Sequence, residues 1–212
     1  MFRKRTTRRS ASGKVPSVSR RSFLKGVGLG AAVAAAPPHL LPAQEKKESS
    51  LRGPGPVPVE LTVNGRRSRL EVEPRVTLLD ALRDRLDVTG PKKVCDRAEC
   101  GACSVFRDGR LIYACTALAI DCDGAEIVTA EGLAPEGEMH PAAKAFVDCD
   151  GFQCGFCTPG QVMALKALLD KHPKPTREQV LVGMSGNLCR CGTYVKIRRA
   201  AETAAAMLAG GR

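Results

Sequence analysis

Eight of the ten cysteines form two groups of four whose spacing suits metal ligation. In the first group three cysteines lie within nine residues and a fourth follows after a short gap. The second group is a Cys-x2-Cys pair and, further along the chain, a Cys-x-Cys pair. Their members are Cys95, Cys100, Cys103 and Cys115, then Cys154, Cys157, Cys189 and Cys191. Four thiolates that converge can hold one metal centre, so the chain has the donors for two.

The first group predicts a 2Fe–2S cluster. The spacing Cys-x4-Cys-x2-Cys with a distant fourth cysteine is the plant-type pattern for that cluster, and Gly101 lets the loop turn backbone N–H groups towards the sulfurs. Structural zinc is usually held by two Cys-x2–4-Cys knuckles, and a tight triplet replaces one of them here. The second group alone is compatible with zinc or iron–sulfur, and its companion favours iron–sulfur.

Composition argues against two other classes of protein, disulfide-rich scaffolds and nucleic-acid-binding proteins. Ten cysteines in 212 residues are too sparse for a small disulfide scaffold. The net charge of +11 suggests nucleic-acid binding, but residues 1–43 carry nine Lys/Arg and no acidic residue. Residues 44–212 carry 24 basic and 22 acidic side chains. Because the folded part is nearly neutral, we expect no nucleic-acid partner.

Residues 1–43 are predicted to be an export leader. Ser19-Arg20-Arg21-Ser22-Phe23-Leu24-Lys25 and the Gly/Ala-rich run 26–36 resemble a twin-arginine signal. That run is too short for a membrane span, which needs about 20 residues. Cleavage after Ala43 is compatible with the sequence, and cleavage after Ala36 is less favoured because Pro37 follows. We expect a linker over 44–56 and a periplasmic location. Because this pathway carries folded proteins, clusters could be inserted in the reducing cytoplasm before export.

Residues 57–131 are predicted to form a small mixed sheet with one helix. Asn64-Gly65 and Asp108-Gly109 are hairpin turns between alternating apolar segments. Thr77 is the expected N-cap of a helix that buries leucines. The predicted strands are Val57–Val63, a return through Leu70–Val72, Ser104–Phe106, Leu111–Tyr113 and Glu126–Thr129, and the helix leucines are Leu78, Leu79, Leu82 and Leu86.

Residues 132–212 are predicted to form a compact bundle of four short helices. The helices cover about 140–148, a segment from Thr158, a short segment from Thr176, and about 194–208. We expect a capping box at each of Thr158–Gln161 and Thr176–Gln179. Cys154 and Cys157 precede the second helix, whose N-terminal dipole favours thiolate charge. A metal bound here would tie the helices together.

The combined motifs resemble the iron–sulfur subunit of the xanthine oxidase family of molybdenum hydroxylases, in particular the separate small subunits of bacterial aldehyde and isoquinoline oxidoreductases. The resemblance rests on the first cysteine group and on the segments Gln153-Cys154-Gly155-Phe156-Cys157-Thr158-Pro159-Gly160 and Gly186-Asn187-Leu188-Cys189-Arg190-Cys191-Gly192-Thr193-Tyr194. It implies an α+β chain: a plant-ferredoxin-like β-grasp domain and a C-terminal four-helix bundle, each with one 2Fe–2S cluster.

The resemblance also implies partners. A large subunit would hold molybdopterin, with Gln153 and Cys191 at its pterin, and electrons would leave through the first cluster. An FAD subunit or a cytochrome could accept them, since this chain has no Gly-x-Gly-x-x-Gly fingerprint. A free-standing ferredoxin and a zinc-stabilised interaction module are the alternatives. No pair of acidic residues suggests acid–base catalysis, so we assign no catalytic side chain.

Three smaller expectations concern Ala98, the two remaining cysteines and the histidines. Ala98 stands where relatives often carry Gly, and a positive φ there would cost about 1 kcal/mol. Cys122 and Cys149 lie outside both groups and are expected to be buried apolar residues, a disulfide between them being the less favoured alternative. His39, His140 and His172 are expected to be structural or solvent-facing.

Overall fold

The computed structural model describes residues 19, 21–22, 54–134 and 137–210. Contacts divide the chain into two units, Met1–Ser50 and Leu51–Arg212. In the first unit the described residues are Ser19, Arg21 and Ser22, and the Ser22 amide donates to Ser19 Oγ at 3.2 Å. His39, most of the predicted signal and the start of the linker lie outside the described residues. No helix in the described ranges is long and apolar enough to cross a membrane.

The described part of the second unit contains five β-strands and five α-helices. The strands are β1 Val57–Val63, β2 Arg66–Val72, β3 Ser104–Arg107, β4 Arg110–Tyr113 and β5 Glu126–Val128. The helices are α1 Leu78–Asp80, α2 Pro141–Asp148, α3 Thr158–Lys171, α4 Arg177–Gly183 and α5 Tyr194–Gly210. Short 3₁₀ turns occupy Ala119–Cys122 and Ala130–Leu133.

The five strands form one mixed sheet in the order β2-β1-β5-β3-β4. β1 pairs with β2 in the antiparallel direction and with β5 in the parallel direction, and β3 is antiparallel to both β5 and β4. Both predicted hairpin turns are confirmed: Asn64-Gly65 and Asp108-Gly109 have positive φ at both positions. The alternation in β1 buries Val59, Leu61 and Val63.

Helix α1 begins as predicted, with Thr77 Oγ1 accepting a hydrogen bond from the Asp80 amide at 3.1 Å. After Asp80 the chain winds more loosely and continues as a π-helical turn over Ala81–Arg85. Leu78, Leu79 and Leu82 are fully buried against the sheet. The leucine stripe was therefore predictable, whereas the wider second turn was not.

The C-terminal half contains four of the helices, which share a second hydrophobic core. α2 packs on α5 and α3, α4 lies between α3 and α5 in contact with both, and α3 also contacts β3 and β4. The capping box at Thr176–Gln179 is confirmed. The box predicted at Thr158 is wrong, because helix α3 is capped at Cys157 and, among the described residues, Thr158 Oγ1 has no hydrogen-bond partner.

Candidate metal centres

The first cysteine group lies at one end of the sheet. Cys95, Cys100 and Cys103 occupy the loop between α1 and β3, and Cys115 follows β4. Their thiols influence one another in pairs: Cys95 acts on the pKa of Cys100, and Cys115 acts on that of Cys103. The hairpin that joins β3 to β4 returns the chain to the loop and thereby brings the distant fourth cysteine to the other three.

The backbone of this loop turns its N–H groups towards sulfur. Asp96, Ala98 and Gly101 all have positive φ, between 55° and 67°. The Ala98 amide donates to Cys115 Sγ at 3.3 Å, and the Glu99 amide donates to Cys95 Sγ at 3.4 Å. Backbone N–H groups directed at sulfur stabilise thiolate charge and tune the potential of a bound cluster. The loop fits an inorganic cluster, and Ala98 has the positive φ at which an alanine is costly.

The second group is assembled by helices. Cys154 and Cys157 lie on the turn that leads into α3, while Cys189 and Cys191 lie on the loop between α4 and α5. Cys191 Sγ is 3.4 Å from Cys154 Sγ, and Cys157 and Cys189 shift each other's pKa. Gly155 and Gly192 supply the two positive-φ positions of these turns. Four sulfurs from three helix ends thus converge, again as two pairs.

Polar groups beside Cys189 fix its position. Tyr194 Oη accepts a hydrogen bond from the Cys189 amide at 2.8 Å, and Thr193 Oγ1 lies 3.2 Å from Cys189 Sγ. Burial raises the pKa of Cys189, but hydrogen bonds from the Thr193 hydroxyl and backbone outweigh it and lower the pKa to about 7. Burial raises the pKa of its partner Cys157 to about 12.

The first group shows the same contrast within a pair. Burial raises the pKa of Cys95, but hydrogen bonds from the Arg97 backbone and the Cys100 thiol bring it down to about 7. Burial raises the pKa of Cys100 and raises that of Cys103 to about 12. The two thiols of such a pair therefore titrate together, and a metal that bound there would displace their protons.

The paired arrangement bears on the kind of metal centre. A tetrahedral zinc site needs four ligands around one centre. A 2Fe–2S cluster instead needs two sulfurs for each iron, which is how both cysteine groups are arranged.

Comparison with known proteins gives the family. Residues 129–202 match the 2Fe-2S binding domain family. The chain is 41% identical to the aldehyde oxidoreductase iron-sulfur-binding subunit PaoA of Escherichia coli (strain K12), over 89% of each chain. It is 42% identical to the nicotinate dehydrogenase small FeS subunit of Eubacterium barkeri, over 70% of this chain and 94% of that one.

Solved structures agree. A chain of quinoline 2-oxidoreductase from Pseudomonas putida 86 matches with a TM-score of 0.70 and 35% identity, over 74% of this chain and 98% of that one. The chain belongs to the iron–sulfur small subunits of the molybdenum hydroxylases. Like them it is an electron-transfer component of an oxidoreductase.

Molybdenum hydroxylase small subunits must meet a large subunit, and the second cysteine group is the more exposed of the two. Cys154 and Gln153 are exposed, and Cys191 is half-buried. A cavity of about 390 Å³ opens between the two groups. Its wall includes Cys100, Cys154, Cys157 and Cys189, together with four exposed apolar or aromatic side chains, Val94, Phe156, Leu188 and Tyr194, which we call the apolar rim.

The remaining cysteines and histidines lie apart from both groups. All ten cysteines are free thiols, so Cys122 and Cys149 form no disulfide. Cys122 is fully buried in the first core, as expected, and the half-buried Cys149 lies 3.3 Å from Thr203 Oγ1. His140 Nδ1 accepts from the Ala142 amide and caps α2, and His172 Nδ1 lies 3.4 Å from Gln179 Nε2. Both histidines have the structural roles expected of them.

Two buried polar side chains between the cysteine groups were missed at the level of sequence. Gln161 was assigned to a capping box, but its Nε2 donates to the Asn187 carbonyl at 3.0 Å. Asn187 Nδ2 in turn donates to the Gly101 carbonyl at 2.8 Å. The available signal was a polar residue at a buried position of the apolar helix α3, next to Val162 and Leu165.

Proposed function

We propose that this chain holds two 2Fe–2S clusters and passes electrons from the molybdenum centre of a large partner subunit to an external acceptor. The observation that carries the proposal is the pairing of thiols in both cysteine groups. Cys95, Cys100, Cys103 and Cys115 would hold one cluster, and Cys154, Cys157, Cys189 and Cys191 the other. The clusters supply one-electron chemistry, and the chain supplies their ligands and spacing.

The proposal includes two domains. Residues 57–131 would form the ferredoxin-like β-grasp domain and residues 132–212 the four-helix bundle. Two separate hydrophobic cores support this division, one built on the sheet and one on α2–α5. Each cysteine group adjoins one core: Cys103 and Cys115 belong to the first and Cys189 to the second.

We propose that the large subunit covers the apolar rim and the exposed Cys154. Apolar side chains around an exposed metal ligand are typical of a surface that is buried in an assembly. Cys154 and Phe156 are exposed on the same turn. Gln153 and Cys191 would then face the pterin, and the second cluster would be the inner relay. The acceptor, whether an FAD subunit or a cytochrome, would meet the first cluster.

For the enzyme as a whole we propose aldehyde oxidation, with N-heterocycle hydroxylation as the alternative. The match to the aldehyde oxidoreductase subunit of Escherichia coli spans 89% of this chain. The match to the nicotinate dehydrogenase subunit spans 70%. Turnover of an aldehyde and of nicotinate by the purified complex, compared under the same conditions, decides between them.

We also propose export to the periplasm by the twin-arginine pathway. The paired arginines Arg20-Arg21 and the weakly apolar run after them support it. Replacing Arg20-Arg21 by Lys-Lys should retain the protein in the cytoplasm. Undiminished periplasmic protein in that variant would refute the assignment.

The central experiment is anaerobic purification from the native host with metal analysis and EPR. We expect about four iron atoms per chain, two distinct S = 1/2 signals on full reduction, and a molybdenum-containing subunit at fixed stoichiometry. A colourless protein with about two zinc ions would instead identify a zinc-stabilised module. An iron-loaded chain that purifies alone as a monomer would identify a free-standing ferredoxin.

A further inference from the structure

A single backbone hydrogen bond joins the two cysteine groups. The Leu188 amide donates to the Cys100 carbonyl at 2.9 Å. Leu188 directly precedes Cys189, and Cys100 is itself a proposed ligand. The route from Cys189 Sγ to Cys100 Sγ therefore runs through covalent bonds and one hydrogen bond, with no gap through space.

Asn187 holds this contact in place. Its side chain is buried, with 4% of the residue exposed, and its Nδ2 donates to the Gly101 carbonyl at 2.8 Å. Its own carbonyl accepts from Gln161 Nε2 at 3.0 Å. The residue before Leu188 is thus fixed on one side to the loop of the first group and on the other to helix α3. Because buried polar groups are costly to leave unpaired, these bonds define one position for the loop.

The surroundings leave the junction little freedom to shift. A Cβ at Gly101 would lie 2.5 Å from Asn187 Nδ2 and 2.5 Å from the Gly186 carbonyl oxygen. The Gly101 carbonyl also accepts from Ser104 Oγ at 2.7 Å. Tyr113 Oη donates to the Gly186 carbonyl at 3.2 Å, one residue further from the Leu188 contact. Close packing on both sides means that the loop cannot slide without breaking several contacts.

We propose that Asn187 is a positioning residue for electron transfer between the two cysteine groups, because it holds the Leu188 N–H against the Cys100 carbonyl. The inference rests on the proposed function, since it needs a cluster at each group. The step moves one electron: the giving site is oxidised by one electron, the receiving site is reduced by one, and no bond or proton changes. Asn187 contacts neither site and acts through the backbone that it fixes.

The test uses the complete enzyme with Asn187→Ala and Asn187→Asp. The first removes the donor, and the second places an acceptor against the Gly101 carbonyl at nearly unchanged volume. After a single addition of substrate, rapid-freeze EPR follows reduction of the second cluster and then of the first. We expect iron content and both EPR signals to be retained and transfer between the clusters to become clearly slower than in wild type, because the hydrogen bond that completes the route is weakened. The Leu188 amide should also exchange its hydrogen with solvent faster in these variants. Hydrogen-exchange measurements on the protein detect this without turnover.

Tyr113→Phe is the matched control. It removes one hydrogen bond to the neighbouring Gly186 carbonyl and leaves the Asn187 and Leu188 bonds intact, so transfer should proceed at the wild-type rate. Equal slowing by Tyr113→Phe would overturn the inference in favour of general rigidity. Unchanged transfer in both Asn187 variants, or loss of iron from both, would also overturn it. Fewer than about four iron atoms in the wild-type chain would instead count against the proposed function.

Discussion

The two cysteine groups have the same donors but opposite surroundings. In the first group Cys100, Cys103 and Cys115 are buried, and the loop surface carries charged residues such as Lys93, which pairs with Asp80 at 2.8 Å. In the second group Cys154 is exposed, and the neighbouring surface carries the exposed apolar side chains Phe156 and Leu188 beside Arg190. Charged surfaces suit transient partners and apolar ones suit permanent partners. The contrast indicates that each group is built for a different kind of contact.

The two cysteine groups also differ in how much of the surrounding fold would depend on a bound metal. The first is built on a loop anchored by the sheet, whose core packs independently around Leu61 and Leu78. The second connects the start of α3 to the loop between α4 and α5. A metal there would link the ends of three helices, whereas a metal in the first group would bind a loop beside the sheet, so we expect metal binding and folding to be coupled more strongly in the second group.

Removing one ligand from each group gives the largest expected effects. Cys189→Ser should lower iron from about four to two per chain, lower the melting temperature, release the large subunit and reduce turnover by at least about 100-fold. Cys103→Ser should also remove two iron atoms and abolish transfer to the acceptor. Because the sheet core remains, this second variant should still bind the large subunit. Metal analysis and size-exclusion chromatography check both variants. If both release the large subunit equally, the two groups do not differ in their role in assembly.

Charge placed on the apolar rim should weaken the assembly next most strongly. Val94→Glu adds a carboxylate where 55% of the valine is exposed beside the cavity. Burying that charge against the large subunit should weaken binding by about 10- to 100-fold, or roughly 1.4–2.8 kcal/mol. Iron content should not change, because Val94 is not one of the proposed iron ligands. Titration of the large subunit measures the affinity.

Val182→Glu is the matched control for this prediction. Val182 on α4 is 69% exposed and lies away from the cavity that holds the cysteines. We expect its variant to bind the large subunit with unchanged affinity. If Val182→Glu weakens binding and Val94→Glu does not, the large subunit covers α4 rather than the rim.

A smaller effect is expected where the two halves touch. A Cβ at Gly160 would lie 2.3 Å from the Gly101 carbonyl oxygen. Gly160→Ala should therefore force α3 away from the first loop and lower the free energy of unfolding by about 1–3 kcal/mol. Gly183→Ala is the control, because its Cβ meets only the end of the Leu168 side chain and gains helix propensity. Denaturant unfolding measures both, and equal destabilisation would mean that the junction is adaptable.

Sequence reasoning succeeded where the signal is local. Two-residue turns such as Asn64-Gly65 and the capping box at Thr176 depend on neighbours in the chain, and the structure has them as predicted. Thr158 has the same local pattern as Thr176, but tertiary contacts override it: Gln161 reaches Asn187 instead of the helix end. The π-helical turn after Asp80 is likewise set by packing.

For the candidate site, cysteine spacing was enough to group the ligands but not to pair them. Which two sulfurs meet depends on how the β3–β4 hairpin returns Cys115 and how the helices present Cys189 and Cys191. The Asn187 junction depends on contacts between residues 86 positions apart in the chain. No spacing rule reports such contacts, because they arise only when both cores have formed.

The smallest predicted effect tests backbone strain, which also differs between the groups. The second group uses glycine at its positive-φ positions, Gly155 and Gly192, while the first places Ala98 at φ 60°. A left-handed alanine costs about 1–2 kcal/mol, partly offset by the greater freedom of glycine in the unfolded chain. Ala98→Gly should therefore stabilise the protein by about 0.5–1 kcal/mol while keeping the bond from its amide to Cys115 Sγ.

Ala102→Gly is the control for that prediction, because Ala102 is buried in the same loop without a positive φ. Here glycine removes packing and adds only unfolded-state freedom, so this variant should be destabilised by about 0.5–1 kcal/mol. Denaturant unfolding of the iron-loaded chain should thus give opposite signs for two alanine-to-glycine changes four residues apart. The same sign for both would mean that the first loop relaxes around Ala98 and that the two groups do not differ in strain.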